Sequence, residues 1–362
     1  MYPYRSSMNR SKSLARSPKF KVRQGPLRCA AVPFASLVVL FLLYHYSRTF
    51  PFTLHTVIDT ATLNVEINLE RILRAAATED NTVIITTLNE AWATPGSIFD
   101  LFLESFRIGD ATAPLLKHLV IVALDENAHL QCEQLHEHCF LLQFEGANFS
   151  QEAFFMTPIY LDIMWRRIAF LLHVLEMGFN FVFSDVDVMW LRNPFPHFDQ
   201  QSDFQTSCDR YNASFLSGSI LNGGFNYVRS NNRSIQFYKY WLASHERFPG
   251  HHDQSVLNFI KNDEIVEGIG LTMHLLKTSH FGGFCEPSRD LNLVCTMHSN
   301  CCVGIESKVN DLRVLLSDWK YYRSFPPSVR SSSVFYWRVP QKCNLNFLWR
   351  LNVTREISEA DV

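Results

Sequence analysis

The sequence predicts an α/β fold built on a mainly parallel sheet, and three observations carry that expectation. Short, nearly continuous apolar runs recur at residues 83–88, 119–124 and 179–184, the texture of strands buried on both faces. Between the second and third lies a long stretch, Tyr160 to Met177, that repeats Leu161, Met164, Trp165, Ile168, Leu171, Leu172 and Leu175 at helical spacing, a stripe wide enough to pack on a sheet. The third run leads straight into Asp185-Val186-Asp187, the chain's one Asp-x-Asp. In open α/β sheets ligands bind at the carboxyl ends of the strands, where this pair falls.

Taken in order, the chain opens on a basic arm. Eight of its 33 Lys and Arg residues lie in residues 1–29, which hold none of its 35 Asp and Glu. The remainder is net acidic, which argues against nonspecific nucleic-acid binding. Residues 30–46, AAVPFASLVVLFLLYHY, carry no formal charge and reach the lower length limit of a membrane-spanning helix. With the positive flank ahead of it, this segment is expected to be an uncleaved signal anchor that leaves 1–29 cytosolic and sends the body into a lumen. A cleaved signal peptide is disfavoured by the long basic region and by Tyr44, His45, Tyr46 and Arg48 where small residues would stand. The continuous apolar core disfavours a transit peptide.

Cys29 sits at the membrane boundary, and eight further cysteines (132, 139, 208, 285, 295, 301, 302 and 343) permit a full disulfide framework in an oxidising compartment. No Cys-x-x-Cys is present, which disfavours structural zinc. Sequons at Asn148, Asn212, Asn232 and Asn352 are compatible with a luminal body.

Residues 47–80 read as a stem with a weak helical pattern around Leu69 to Leu73, and residues 81–362 as one folded body. Within the body, a strand from Val83 to Leu88 is followed by a loop with Pro95 and Gly96, a helix from Ile98 to Phe106, and a buried strand from Leu119 to Leu124 ending at Asp125. A third β segment is expected over Phe140–Phe144. The long helix then ends at Gly178 and the strand 179–184 delivers the aspartates.

Paired carboxylates at a strand end are hard oxygen ligands suited to Mg²⁺ or Mn²⁺, which in turn can hold a diphosphate. Standing alone, Asp-x-Asp more often marks a turn or a cap. Asn222-Gly223-Gly224 allows close backbone approach to a ligand and offers an amide to sugar hydroxyls, or else it is a tight turn into a strand. Asp253-Gln254 opens a helix where side chains can face a pocket, although an N-cap explains Asp253 equally well. His298 can complete an octahedral site and Lys308 can place a charge on a phosphate; the alternative is a cysteine-rich loop with a surface histidine. By helical phase Arg167, and not Arg166, points toward the sheet's ligand edge. Adjacent His251 and His252 diverge on a helix and make a poor metal pair.

These segments together, TTLNEAW (86–92), FSDVDVMWLRNPF (183–195), LNGGFNYVRS (221–230), HHDQSVLN (251–258) and TMHSNCCVGIESK (296–308), resemble the GT-A glycosyltransferases. Within them the chain is similar to the plant nucleotide-diphospho-sugar transferase group, glycosyltransferase family 77. The order of motifs also looks like that of the glycogenin-type retaining enzymes, with a longer gap from His298 to Lys308. The resemblance spans Thr82 to about Tyr322 and implies a single GT-A, Rossmann-like catalytic domain. It implies Asp185 near the donor ribose and the metal, Asp187 and His298 as metal ligands, and Lys308 on the diphosphate. It further implies Asn222, Gly223 and Gly224 along the donor sugar, Asp253 on its hydroxyls, Gln254 by the anomeric carbon, and Thr87 and Asn89 by uridine. The implied cofactors are Mn²⁺ or Mg²⁺ with a UDP-sugar donor. The implied acceptor is a cell-wall glycan or glycoprotein, the sugar a pentose, the outcome retention, and the location the Golgi membrane, with synthase complexes as partners. The competing expectation is a catalytically inactive GT-A scaffold of a Golgi synthase complex. A nucleotidyltransferase or phosphohydrolase is disfavoured by the lack of a Walker loop or Gly-x-Gly-x-x-Gly.

Overall fold

Seven strands form the main sheet of the computed structural model, which describes residues 60–142, 149–213 and 216–343. In chain order they are β1 (Thr82–Leu88), β2 (Leu119–Ala123), β3 (Cys139–Leu141), β4 (Asn180–Ser184), β6 (Phe204–Arg210), β7 (Ile220–Val228) and β8 (Met273–Leu275). Their spatial order is β3-β2-β1-β4-β7-β6-β8, and only β7 runs against the rest. The expected mainly parallel α/β sheet is therefore present. A second, three-stranded sheet joins β5 (Val188–Trp190), β10 (Thr296–His298) and β9 (Phe281–Gly283) in that order.

Alternation along the strands divides the apolar interior in two, because successive side chains point to opposite faces. Ile84, Leu88, Ile121 and Val182 enter one core with the helix α3 (Ile98–Ile108) and the long helix α9 (Ile305–Arg323). Val83, Ile85, Val120, Phe181 and Phe183 enter the other with α5 (Pro158–Glu176) and α6 (Asn232–Arg247). The remaining helices are α1 (Thr60–Ala76), α2 (Glu90–Ala93), α4 (Glu126–Leu135), α7 (Asp253–Ile260), α8 (Glu264–Ile269) and α10 (Pro327–Ser332). Helix α5 stops where Gly178 takes a left-handed φ of 86°, a conformation that costs glycine little.

Three sequence expectations change. The stem boundary at 80/81 moves back to Thr60, because Leu69, Ile72, Leu73 and Ala76 of α1 are buried in the second core. Their i, i+3, i+4, i+7 spacing makes α1 a helix of the folded body. The third β segment is shorter than expected, β3 ending at Leu141. The full disulfide framework is reduced to three described bridges, Cys132–Cys139, Cys285–Cys301 and Cys302–Cys343, with Cys208 and Cys295 as buried thiols. The expected tail (1–29) and anchor (30–46) and the sequons at Asn148 and Asn352 lie outside the described residues. Among the described residues no helix is long and apolar enough to cross a membrane.

Candidate active site

Two strand registers assemble the site. Antiparallel pairing of β4 with β7 sets Ser184 opposite Phe225, so Gly224 lies beside Asp185, whose N–H donates to the Gly224 carbonyl at 2.7 Å. Pairing of β10 with β5 sets His298 opposite Val188, which brings its imidazole to Asp187. One carboxylate oxygen from each aspartate and a ring nitrogen of His298 all lie within 4.8 Å of one another. His298 Nε2 is 3.2 Å from Asp187 Oδ1 and 3.9 Å from Asp185 Oδ2.

The surrounding charges are arranged in pairs. Arg167, itself buried, donates from one guanidinium nitrogen to Asp185 Oδ1 at 2.7 Å and from another to Asp253 Oδ2 at 2.5 Å. Lys308 Nζ donates to Asp187 Oδ2 at 2.6 Å, and the Ser299 hydroxyl donates to the same oxygen at 2.7 Å. Burial works against ionisation of Asp187, but the Lys308 and His298 charges hold its carboxyl well below the usual range. Burial raises Asp185, with Arg167 opposing and Asp187 reinforcing the shift. Burial disfavours the charged form of His298, yet the Asp187 charge and hydrogen bond raise its pKa overall.

This donor set, two carboxylates and an imidazole, fits a hard divalent cation. Gly224 makes the fit possible. A Cβ there would stand 2.3 Å from Asp185 Oδ2 and 2.6 Å from His298 Cε1.

A cavity of about 540 Å³ opens over the cluster and gathers most of the residues singled out in the sequence: Thr87, Asn89, Arg167, Asp185, Asp187, Asn222, Gln254, His298 and Lys308. Three placements bear on the readings the sequence left open. Asn222-Gly223-Gly224 lies inside β7, which removes the tight-turn alternative. Asp253 neither caps α7, where His252 is the N-cap residue, nor lines the cavity; at 1% exposure it sits behind Arg167 and anchors it. Asn89 lines the cavity, but its amide is engaged by the scaffold: it donates to the carbonyls of Phe149 and Gln151 and accepts the Trp92 N–H.

Sequence reasoning missed Asp209. This half-buried carboxylate on β6 lines the cavity and accepts side-chain amide hydrogens from Asn222, Asn300 and Gln254 at 2.7, 2.7 and 2.9 Å. Burial raises its pKa against those three hydrogen bonds. Gln254 is thereby fixed at both ends, since its Oε1 accepts the Gly223 N–H at 2.9 Å. No local pattern in FQTSCDR marks Asp209; only the pairing of β6 with β7 brings it beside Asn222.

A carboxylate-rich cation site at the carboxyl ends of a mainly parallel sheet defines the class of enzymes that handle nucleotide diphosphates through a metal. The sequence model of the nucleotide-diphospho-sugar transferases matches residues 114–312, more than half of the chain, and the chain belongs to that family of nucleotide-sugar glycosyltransferases. An uncharacterized protein of Arabidopsis thaliana is 47% identical over 293 residues, covering 80% of this chain and 77% of its own. A second from the same plant is 37% identical over 300 residues, covering 81% and 88%. Among solved structures, the galactosyltransferase LgtC in complex with donor and acceptor sugar analogs is 11% identical with a TM-score of 0.41, covering 69% of this chain and 99% of that one.

Proposed function

We propose that the protein transfers a sugar, a pentose by resemblance, from a UDP-sugar to a glycan or glycoprotein hydroxyl with retention of configuration. The observation that carries the reading is the Asp185–Asp187–His298 cluster, with Lys308 beside it and Arg167 behind it, on the wall of one cavity. Asp185, Asp187 and His298 would hold Mn²⁺ or Mg²⁺, which when bound supplies a Lewis acid that offsets charge on the departing diphosphate. Lys308 places a further positive charge at the same end of the cavity, fixed before the reaction begins. Thr87, Trp92, Asn222, Gln254 and Asp209 line the same cavity, and in this reading the first two face the nucleotide and the other three the sugar.

Retention follows a front-face course in this reading, with the acceptor hydroxyl entering on the side from which UDP departs. Asp253 is a poor nucleophile because Arg167 covers it, so its part is to position Arg167. Gln254 likewise orients Asp209 and the β7 backbone.

The setting proposed is the Golgi lumen, behind the anchor at 30–46. Three disulfides fit an oxidising compartment, and the sequon residues Asn212 and Asn232 are exposed.

The test is UDP release by the full-length protein across a panel of UDP-sugars with Mn²⁺. Asp187→Ala is expected to lower turnover at least about a hundredfold while the protein stays folded. Activity retained in that variant, or activity indifferent to EDTA, overturns the metal assignment.

A further inference from the structure

The cavity has two chemically different halves, and one face of α5 runs from one to the other. Tyr160, Ile163, Met164 and Arg167 follow i, i+3, i+4, i+7 and all line it. Arg167 touches the charged floor, and Tyr160 stands about 10 Å farther out along the helix axis.

Around Tyr160 the wall turns aromatic. Phe155 packs edge-on against Tyr160 at 5.3 Å and against His252 at 5.3 Å, and Phe154, Met156 and Phe259 complete the lip. Phe154 is 61% and Phe155 40% exposed, large apolar surfaces set at a cavity mouth. The segment that bears them is held in place: the Asn89 amide binds the carbonyls of Phe149 and Gln151, and Glu152 Oε1 accepts the Ile305 N–H at 3.1 Å. The backbone leading to these rings is therefore braced before anything binds.

The cationic wall residues are engaged elsewhere. Arg167 holds Asp185 and Asp253, Lys308 holds Asp187, Asp209 holds three amides and Glu152 holds α9. A carboxylate entering at the lip would find no free cation, and desolvating it unpaired is costly.

Resting on the nucleotide-sugar reading above, we infer that the aromatic half is the acceptor subsite and that it takes a neutral sugar ring. The C–H face of that ring lies on Phe155.

The test uses the full-length protein saturated with UDP and Mn²⁺. It is titrated with neutral pentose- and hexose-based oligosaccharides, with an oligouronide as the acidic control and an oligolysine as the basic one. Saturable binding of a neutral oligosaccharide is expected. Phe155→Ala should weaken it at least about tenfold, Phe155→Tyr should restore it, and UDP affinity should stay within about twofold in both. The inference is overturned if no neutral oligosaccharide binds, if either charged control binds better, or if Phe155→Ala binds like the wild type. A wild-type protein that fails to bind UDP sinks the nucleotide-sugar reading instead, and this inference with it.

Discussion

At Gly224 one missing carbon decides whether the candidate cation site can form. Any side chain there meets Asp185 on one side and His298 on the other, both in the first layer of the site. Gly224→Ala is expected to lower Mn²⁺ affinity, measured by calorimetry with UDP present, at least about tenfold. Unchanged affinity would mean that the two ligands do not meet over Gly224. Asp209 tests the proposed sugar side. Its carboxylate accepts from three amides at once, and asparagine would turn an NH₂ toward the fixed Gln254 amide. A buried donor left without an acceptor costs roughly 1–3 kcal/mol, so Asp209→Asn should lower kcat/KM by about ten- to a hundredfold. A variant with wild-type kcat/KM would show that the amide ring around Asp209 does not shape the sugar side.

Among elements, the clearest staple is Asp203 at the start of β6. It accepts from Arg233 and Asn231 at the head of α6, and from the backbone and hydroxyl of Thr272 just before β8. Burial opposes ionisation, but these donors take its pKa from 3.8 down to about 2. A carboxyl depressed in the folded state binds protons more readily once unfolded. Its stabilisation is therefore complete above about pH 4 and lost as pH falls toward 2. On the order of 1–2 kcal/mol is involved. Asp203→Asn should lower the wild-type Tm at pH 6 and flatten its decline between pH 4 and 2. Parallel Tm profiles for the two proteins would sink the staple.

Elements also show where sequence reading succeeds. The strands ending at Leu88, Ala123 and Ser184, and the helix closed by Gly178, were legible because local pattern and burial coincide. Helix α1 was read as a stem because its exposed half, including Val65 and Ile67, dilutes the stripe from Leu69 to Ala76 that packs on the sheet.

Across the whole molecule, the site was legible where its chemistry is local. Asp185 and Asp187 stand one residue apart on one strand end, whereas Asp209, the burial of Asp253 behind Arg167, and the approach of His298 to Asp187 depend on pairings between distant segments. The adjacent residues Cys301 and Cys302 are the covalent side of that assembly. Both line the cavity. Cys301 is bridged to Cys285, closing a loop that contains β10 and His298; Cys302 is bridged to Cys343, tying the start of α9, which carries Lys308, to the chain beyond α10. By loop-closure entropy each bridge stabilises the fold by about 3–4 kcal/mol. Their positions add a functional consequence, because the third candidate ligand and the lysine both hang on these clamps, while Cys132–Cys139 joins α4 to the edge strand β3. The double variant Cys285→Ser with Cys301→Ser should therefore lose Mn²⁺ affinity by about tenfold or more even below its own Tm. Cys132→Ser with Cys139→Ser should lose Tm while its Mn²⁺ affinity stays within about twofold of wild type. Equal losses of affinity in the two would mean that the bridges act on global stability alone, and that β10 holds His298 in place without them.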